Sequence, residues 1–186
     1  ICDVLFGDKV PSGKLTATMP KSVGQIPLYY NHLNTGRPLK EGKWFTKFTS
    51  NYLDIDNDPL YPFGYGLSYT TFKYGKPTLS SNTMTNNETI SVSVDITNTG
   101  NYDADEIAQM YIRDLAASVS RPVKELKGFE RISIKKGETK TVTFTITPED
   151  LKFYNQELEY KNEPGEFEVM VGPNSKDVQT LTFTLK

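Results

Sequence analysis

The chain has 186 residues, 37 % hydrophobic and 24 % charged, which suits one large or two small globular domains with a buried core. Its 21 basic and 23 acidic residues leave a net charge of -2, with no basic tract to follow a nucleic-acid backbone or coat an anionic membrane, so neither partner is expected. No apolar run approaches the roughly 20 residues of a membrane span, and the lone Cys2 excludes an internal disulfide and a cysteine-built metal site.

The chain opens on Ile1 with no charged-then-apolar leader, which reads as a piece of a larger protein and says nothing of location. The stretch "LFGDKVPSGKL" imitates a phosphate-binding loop, but five residues separate Gly7 from Gly13, Leu15 stands where a Ser or Thr would reach magnesium, and Pro11 removes an amide from the cradle. The plainer expectation is a helix ending at Gly7, a turn through "DKVPSG", and a strand "KLTATMP" closed by Pro20.

Residues 1 to about 75 are rich in Pro, Gly and aromatics, whereas alternation dominates from about residue 77, so a boundary is expected near Gly75-Lys76-Pro77. His32, in "YYNHLNTGRP", is the only histidine, which rules out a histidine-built metal cluster. Its plain reading is a loop histidine bonded to backbone. Its sharper reading joins it to Arg37 and Trp44 at the edge of a polar ligand site, because donors, acceptors and a stacking face together suit a sugar. "LDIDNDPL" clusters Asp54, Asp56 and Asp58 like the start of a calcium loop, but Pro59 and Tyr65 occupy the positions that need Gly and Glu, so a solvated acidic turn is expected. "LYPFGYGLSYTTF" gathers Tyr61, Phe63, Tyr65, Tyr69 and Phe72, a density that suits packing between neighbouring domains.

From there strands dominate. Ile90, Val92, Val94 and Ile96 alternate with polar residues, as do Val142, Phe144 and Ile146, then Phe167, Val169 and Val171, then Leu181, Phe183 and Leu185. Turn chemistry at 98–101, 135–138 and 164–165 separates them, and Thr147-Pro148-Glu149-Asp150 signals a single helical turn. Short strands at this spacing predict an antiparallel β-sandwich, and with no Cys or Trp in this half it is fibronectin-III-like, not antibody-like. Asn87-Glu88-Thr89 is a formal glycosylation sequon.

Taken together, "DVLFGDKVPSGKL", "SVGQIPLYYNHLNTGRP", "PLYPFGYGLSYTTF", "ITNTGNYDADEIAQMYIRD" and "SRPVKELKGFERISIKKGETKTVTF" resemble the C-terminal end of family 3 glycoside hydrolases, most closely the bacterial periplasmic β-glucosidases. The resemblance covers the whole chain. It implies that residues 1–38 are the tail of an α/β sandwich domain, 39–75 a linker and 76–186 a fibronectin-III-like domain. Members hydrolyse β-glucosides with retention, which requires two carboxyl groups about 5 Å apart. The family's nucleophilic Asp and acid/base Glu lie ahead of Ile1, so no catalytic residue, metal or cofactor is expected in this chain. The resemblance further implies a scaffold that packs on the catalytic domains of the same polypeptide, a glucoside or oligosaccharide substrate reached through them, and a periplasmic or secreted location, with a homodimer open. The other class of reading is a stand-alone carbohydrate-binding or adhesive module of fibronectin type.

Overall fold

The computed structural model describes residues 1–39 and 45–186. Eleven strands follow one short helix, α1 (Cys2–Leu5): β1 (Phe72–Tyr74), β2 (Thr78–Leu79), β3 (Thr83–Met84), β4 (Ile90–Asn98), β5 (Ala104–Asp114), β6 (Glu125–Ile134), β7 (Thr139–Ile146), β8 (Phe153–Tyr154), β9 (Tyr160–Lys161), β10 (Gly165–Gly172) and β11 (Gln179–Leu185).

The strands make a two-layer sandwich. In one sheet β4 pairs with β7 along one edge and with β1 and β2 along the other, all antiparallel. The second runs β3-β11-β10-β5-β6, antiparallel except for the β3–β11 pair. β1 lies ahead of Gly75-Lys76-Pro77, and Phe72 packs on the sandwich core.

The expected alternation sets this core. Ile90, Val92, Val94 and Ile96 of β4 and Val142, Phe144 and Ile146 of β7 face Ala108, Met110 and Ile112 of β5, Phe167, Val169 and Val171 of β10, and Phe183 and Leu185 of β11. Phe167 and Phe183 stack there with centroids 5.5 Å apart. Outside, β4 and β7 present hydroxyls that pair across the ladder, Ser93 with Thr143 and Thr97 with Thr139, each at 2.8 Å. The expected helical turn is a 3₁₀ turn, Pro148–Leu151, in which the Asp150 carboxylate accepts from the Thr147 amide and hydroxyl.

The opening helix behaves as expected: α1 closes at Phe6 and Gly7 takes a left-handed φ of 87°. The expected strand over 14–20 does not form. Leu15 and Met19 pair with the 60–65 segment at two separate points, the Leu15 amide donating to the Tyr65 carbonyl at 2.7 Å and the Met19 amide to the Tyr61 carbonyl at 2.9 Å. Between them Pro62 has no amide to donate, and Gly64 at φ 78° turns the partner chain so that its own amide reaches the Leu15 carbonyl.

Candidate functional site

The chemistry-bearing residues of the first 69 positions are gathered where that segment lies across the outer side of β5 and β6. Gln109 and Tyr111 point away from the sandwich core, yet both are buried, because the N-terminal segment covers them. Tyr30 stacks on Phe63 with centroids 4.3 Å apart and meets Tyr111 edge-on at 5.8 Å. The Gln109 amide donates to the carbonyls of Gly64 at 3.1 Å and Pro173 at 2.7 Å, while its Oε1 accepts from the Tyr111 hydroxyl. Burial first pushes the Tyr111 phenol pKa up, so it stays a neutral donor.

A second anchor is ionic. Lys14 Nζ lies 3.2 Å from Glu106 Oε1, which also accepts from the Tyr74 hydroxyl at 2.9 Å. Lys14 is largely buried and Glu106 almost wholly so, hence each charge depends on the other. Burial first, then the Glu106 charge, raises the Tyr74 pKa.

The acidic cluster is a pinned loop. Asp56 is paired with Lys21 at 2.7 Å and Asp58 with Lys176 at 2.8 Å. Beneath it the fully buried Gln25 donates to the carbonyls of Asp56 at 3.0 Å and Asp58 at 3.1 Å and accepts from the Lys21 amide at 2.6 Å. Each of these two carboxylates is thus paired with a lysine, and among the described residues no group of three or more His, Cys, Asp or Glu is placed to hold a metal.

A cleft of about 320 Å³ opens between this loop, residues 28–38 and the sandwich. His32, Thr35, Asn57, Asp58, Lys124 and Lys176 are among its lining residues. His32 Nδ1 lies 3.0 Å from the Leu33 carbonyl, the backbone contact of its plain reading, and the residue also lines the cleft. Arg37 is exposed outside the cleft lining, with its carbonyl accepting from the Ser50 amide at 2.8 Å. Trp44 lies outside the described residues. Of the five aromatics proposed for packing, Phe63 sits on Tyr30 and Tyr61 stacks on Tyr65 at 5.0 Å. The Tyr69 hydroxyl ties to the Val4 carbonyl at 2.6 Å, and Phe72 joins the core.

Asp114 is the described carboxyl with a raised pKa, burial being the first cause, and the acids that act on it are engaged elsewhere: Glu163 by Ser118 and Glu125 by Arg121. Sequence reading passed over Lys14, Gln25, Glu106, Gln109 and Tyr111. The signal for three of them was "EIAQMYI", whose glutamate, amide and tyrosine interrupt an otherwise apolar strand and mark one covered on both faces.

An apolar face stays open on the N-terminal segment. Leu5 and Phe6 are 72 % and 78 % exposed, with Leu60 and Leu67 also exposed. A neighbouring groove is lined by Leu15, Met19, Pro20, Leu60, Tyr61 and Leu67.

Comparison with known proteins gives this arrangement its class. Residues 1–69 match the glycosyl hydrolase family 3 C-terminal domain and residues 106–175 a fibronectin type III-like domain. In sequence and fold the chain resembles the C-terminal part of a family 3 glycoside hydrolase. It is 56 % identical over 185 residues to a periplasmic β-glucosidase of Salmonella typhimurium, covering 100 % of this chain and 24 % of that protein. It is 48 % identical over 183 residues to a putative β-xylosidase of Formosa agariphila, covering 98 % of this chain and 23 % of the relative. A crystal structure of β-glucosidase from Listeria innocua in complex with isofagomine superposes with a TM-score of 0.92 at 45 % identity, over 98 % of this chain and 26 % of that one. The chain thus spans about a quarter of the length of the relatives it matches.

Proposed function

We propose that this chain is the non-catalytic C-terminal portion of a retaining β-glucosidase, a scaffold that packs on catalytic domains ahead of it in the same polypeptide. The observation that carries the reading is the set of exposed apolar side chains, Leu5, Phe6, Leu60 and Leu67, together with the groove lined by Leu15, Met19, Leu60 and Leu67, all on the segment that matches the family's C-terminal domain. The chain in this reading is a bracket. The sandwich supplies rigidity, the Lys14–Glu106 and Gln109–Gly64 anchors hold the N-terminal segment to it, and that segment offers the apolar face to its partner domain.

His32, Arg37 and Trp44 are the residues we assign to the substrate edge, with Arg37 meeting a carboxylate of the partner domains. Similarity to the periplasmic β-glucosidase of Salmonella supports a periplasmic or secreted location, and no described helix is long and apolar enough to cross a membrane. Relatives named as xylosidases favour a second reading of the substrate, a β-xyloside.

The test is hydrolysis of aryl β-glucoside and aryl β-xyloside by the 186-residue chain and by the longer polypeptide that contains it, at equal molarity. Activity in the longer polypeptide alone, with retention of configuration, is the expected result, and the preferred aglycone-matched sugar separates the two substrate readings. Turnover by the chain alone would overturn the proposal. In the longer polypeptide, Arg37→Ala is expected to raise KM; an unchanged KM would remove Arg37 from the substrate edge.

A further inference from the structure

The β8–β9 hairpin carries an aromatic pair that the scaffold reading leaves unused. Its inner side is firmly seated. Phe153 is buried under the Arg121 guanidinium, 4.6 Å from the ring centroid, and the Asn155 Oδ1 accepts from the amides of Glu157 at 3.0 Å and Glu159 at 2.9 Å to shape the turn. Its outer side presents Tyr154 and Tyr160, direct cross-strand partners with centroids 5.0 Å apart and planes tilted by 43°. They remain 65 % and 49 % exposed, and Leu158 at the turn is exposed beside them.

Pairing with each other explains why two tyrosines sit opposite one another, but not why a rigidly seated hairpin holds both in water. The surrounding charges narrow what would cover them. Lys152 is bound to Glu149 at 2.6 Å, with its ammonium 5.8 Å from the Tyr160 ring centroid, and Lys161 is bound to Glu159 at 2.7 Å, so each cation beside the pair has a carboxylate partner. With Glu157 close enough to act on Lys161, the rim is neutral to acidic and disfavours a nucleic acid or an anionic lipid. A partner that is uncharged, flat on its faces and hydroxylated at its edges fits. Its C–H groups would meet the electron-rich ring faces, and its hydroxyls would meet the phenols and the carboxylates at the rim.

We infer that Tyr154 and Tyr160 form a contact site for a neutral β-linked polysaccharide, a glucan or a xylan. The choice of polymer rests on the proposed glycosidase reading, whereas the existence of the site rests on the hairpin itself. The site holds the fold near polymeric substrate and takes no part in bond cleavage.

The experiment is affinity electrophoresis of the 186-residue chain in gels containing soluble mixed-linkage β-glucan, arabinoxylan or heparin. The expected result is retardation by a neutral polymer and none by heparin. Tyr154→Ala with Tyr160→Ala should weaken it roughly tenfold, the loss of one or two ring contacts. Tyr154→Phe, which keeps the ring and the fold, should retain it, as should Tyr102→Ala at an exposed tyrosine elsewhere. Absence of retardation by both neutral polymers, retardation unchanged in the double variant, or equal retardation by heparin would each overturn the inference. Aryl-glycoside hydrolysis by the longer polypeptide, measured separately, reports on the glycosidase reading, so the two can fail independently.

Discussion

The two regions of this molecule reach order by different routes. The sandwich is built on backbone ladders, with β4 and β7 paired over eight successive residue pairs and an apolar side chain turned inward at every second position. Among their described residues, the first 69 positions hold one four-residue helix, one 3₁₀ turn and isolated bridges, and they leave apolar side chains exposed. Their order is borrowed through a few anchors on β5 and β6. A segment with almost no secondary structure can therefore be held in place by buried polar groups that are each bonded several times over, as Gln25 and Gln109 are, and its exposed face then remains available to another domain.

Breaking the sandwich should have the largest effect and take both regions with it. Phe183→Ala removes half of the buried Phe167–Phe183 stack and is expected to cost about 3–5 kcal/mol in denaturant unfolding, with loss of amide protection throughout the chain. Breaking the ionic anchor should be nearly as costly but selective. Lys14→Ala leaves the Glu106 charge buried with the Tyr74 hydroxyl as its remaining partner, for an expected loss of about 3 kcal/mol. Exchange should quicken in residues 10–20 and 60–66 more than in β4 or β7.

Gly64→Ala sharpens the comparison from the backbone side. Gly64 has φ 78°, and a Cβ there would collide with the Gln109 carboxamide, so an expected loss of about 2 kcal/mol should fall on the same anchor. Ala at the exposed Gly137, also left-handed at φ 76° but in open space, should cost less. The difference between the two variants isolates the contact with Gln109.

The smallest effects are those of pH, and they carry opposite signs. The Lys21 hydrogen bond chiefly lowers the Asp56 pKa, and the Ser133 hydroxyl chiefly lowers that of Asp105. A carboxyl with a folded pKa below its unfolded one gives stability that is complete above the unfolded value and is lost as pH falls through the folded one. Asp114 is raised, chiefly by burial, so its cost is fully present above its folded pKa and fades as pH falls towards the unfolded value. Thermal unfolding of Asp114→Asn should thus show a gain at pH 7 that fades as pH falls below the ordinary carboxylate range, whereas Asp56→Asn should show a loss at pH 7 that disappears only once pH falls through the lowered folded pKa.

Much of the sandwich was legible from alternation, because β4, β7, β10 and β11 are half-buried in the manner a period of two describes. β5 escaped that pattern because the N-terminal segment covers its outer face, burying Gln109 and Tyr111 alongside the core residues. The strand expected at 14–20 failed for reasons carried by its partner, Pro62 and Gly64, some 45 residues away in sequence. His32 drew attention by residue type alone, but the cleft it lines needs Lys124 and Lys176 from the sandwich, a juxtaposition set by the fold. Tyr154 and Tyr160 were unremarked because their pairing depends on the turn that Asn155 and Leu158 close.

The central claim is that the open face of the N-terminal segment is covered by domains ahead of it. It is tested most directly by amide exchange of residues 2–7 and 60–67, compared between the 186-residue chain and the longer polypeptide. At least tenfold slower exchange of those residues is expected in the longer polypeptide, with β4 and β7 unchanged. Equal exchange in both would mean that nothing covers the face, and the scaffold reading would fall.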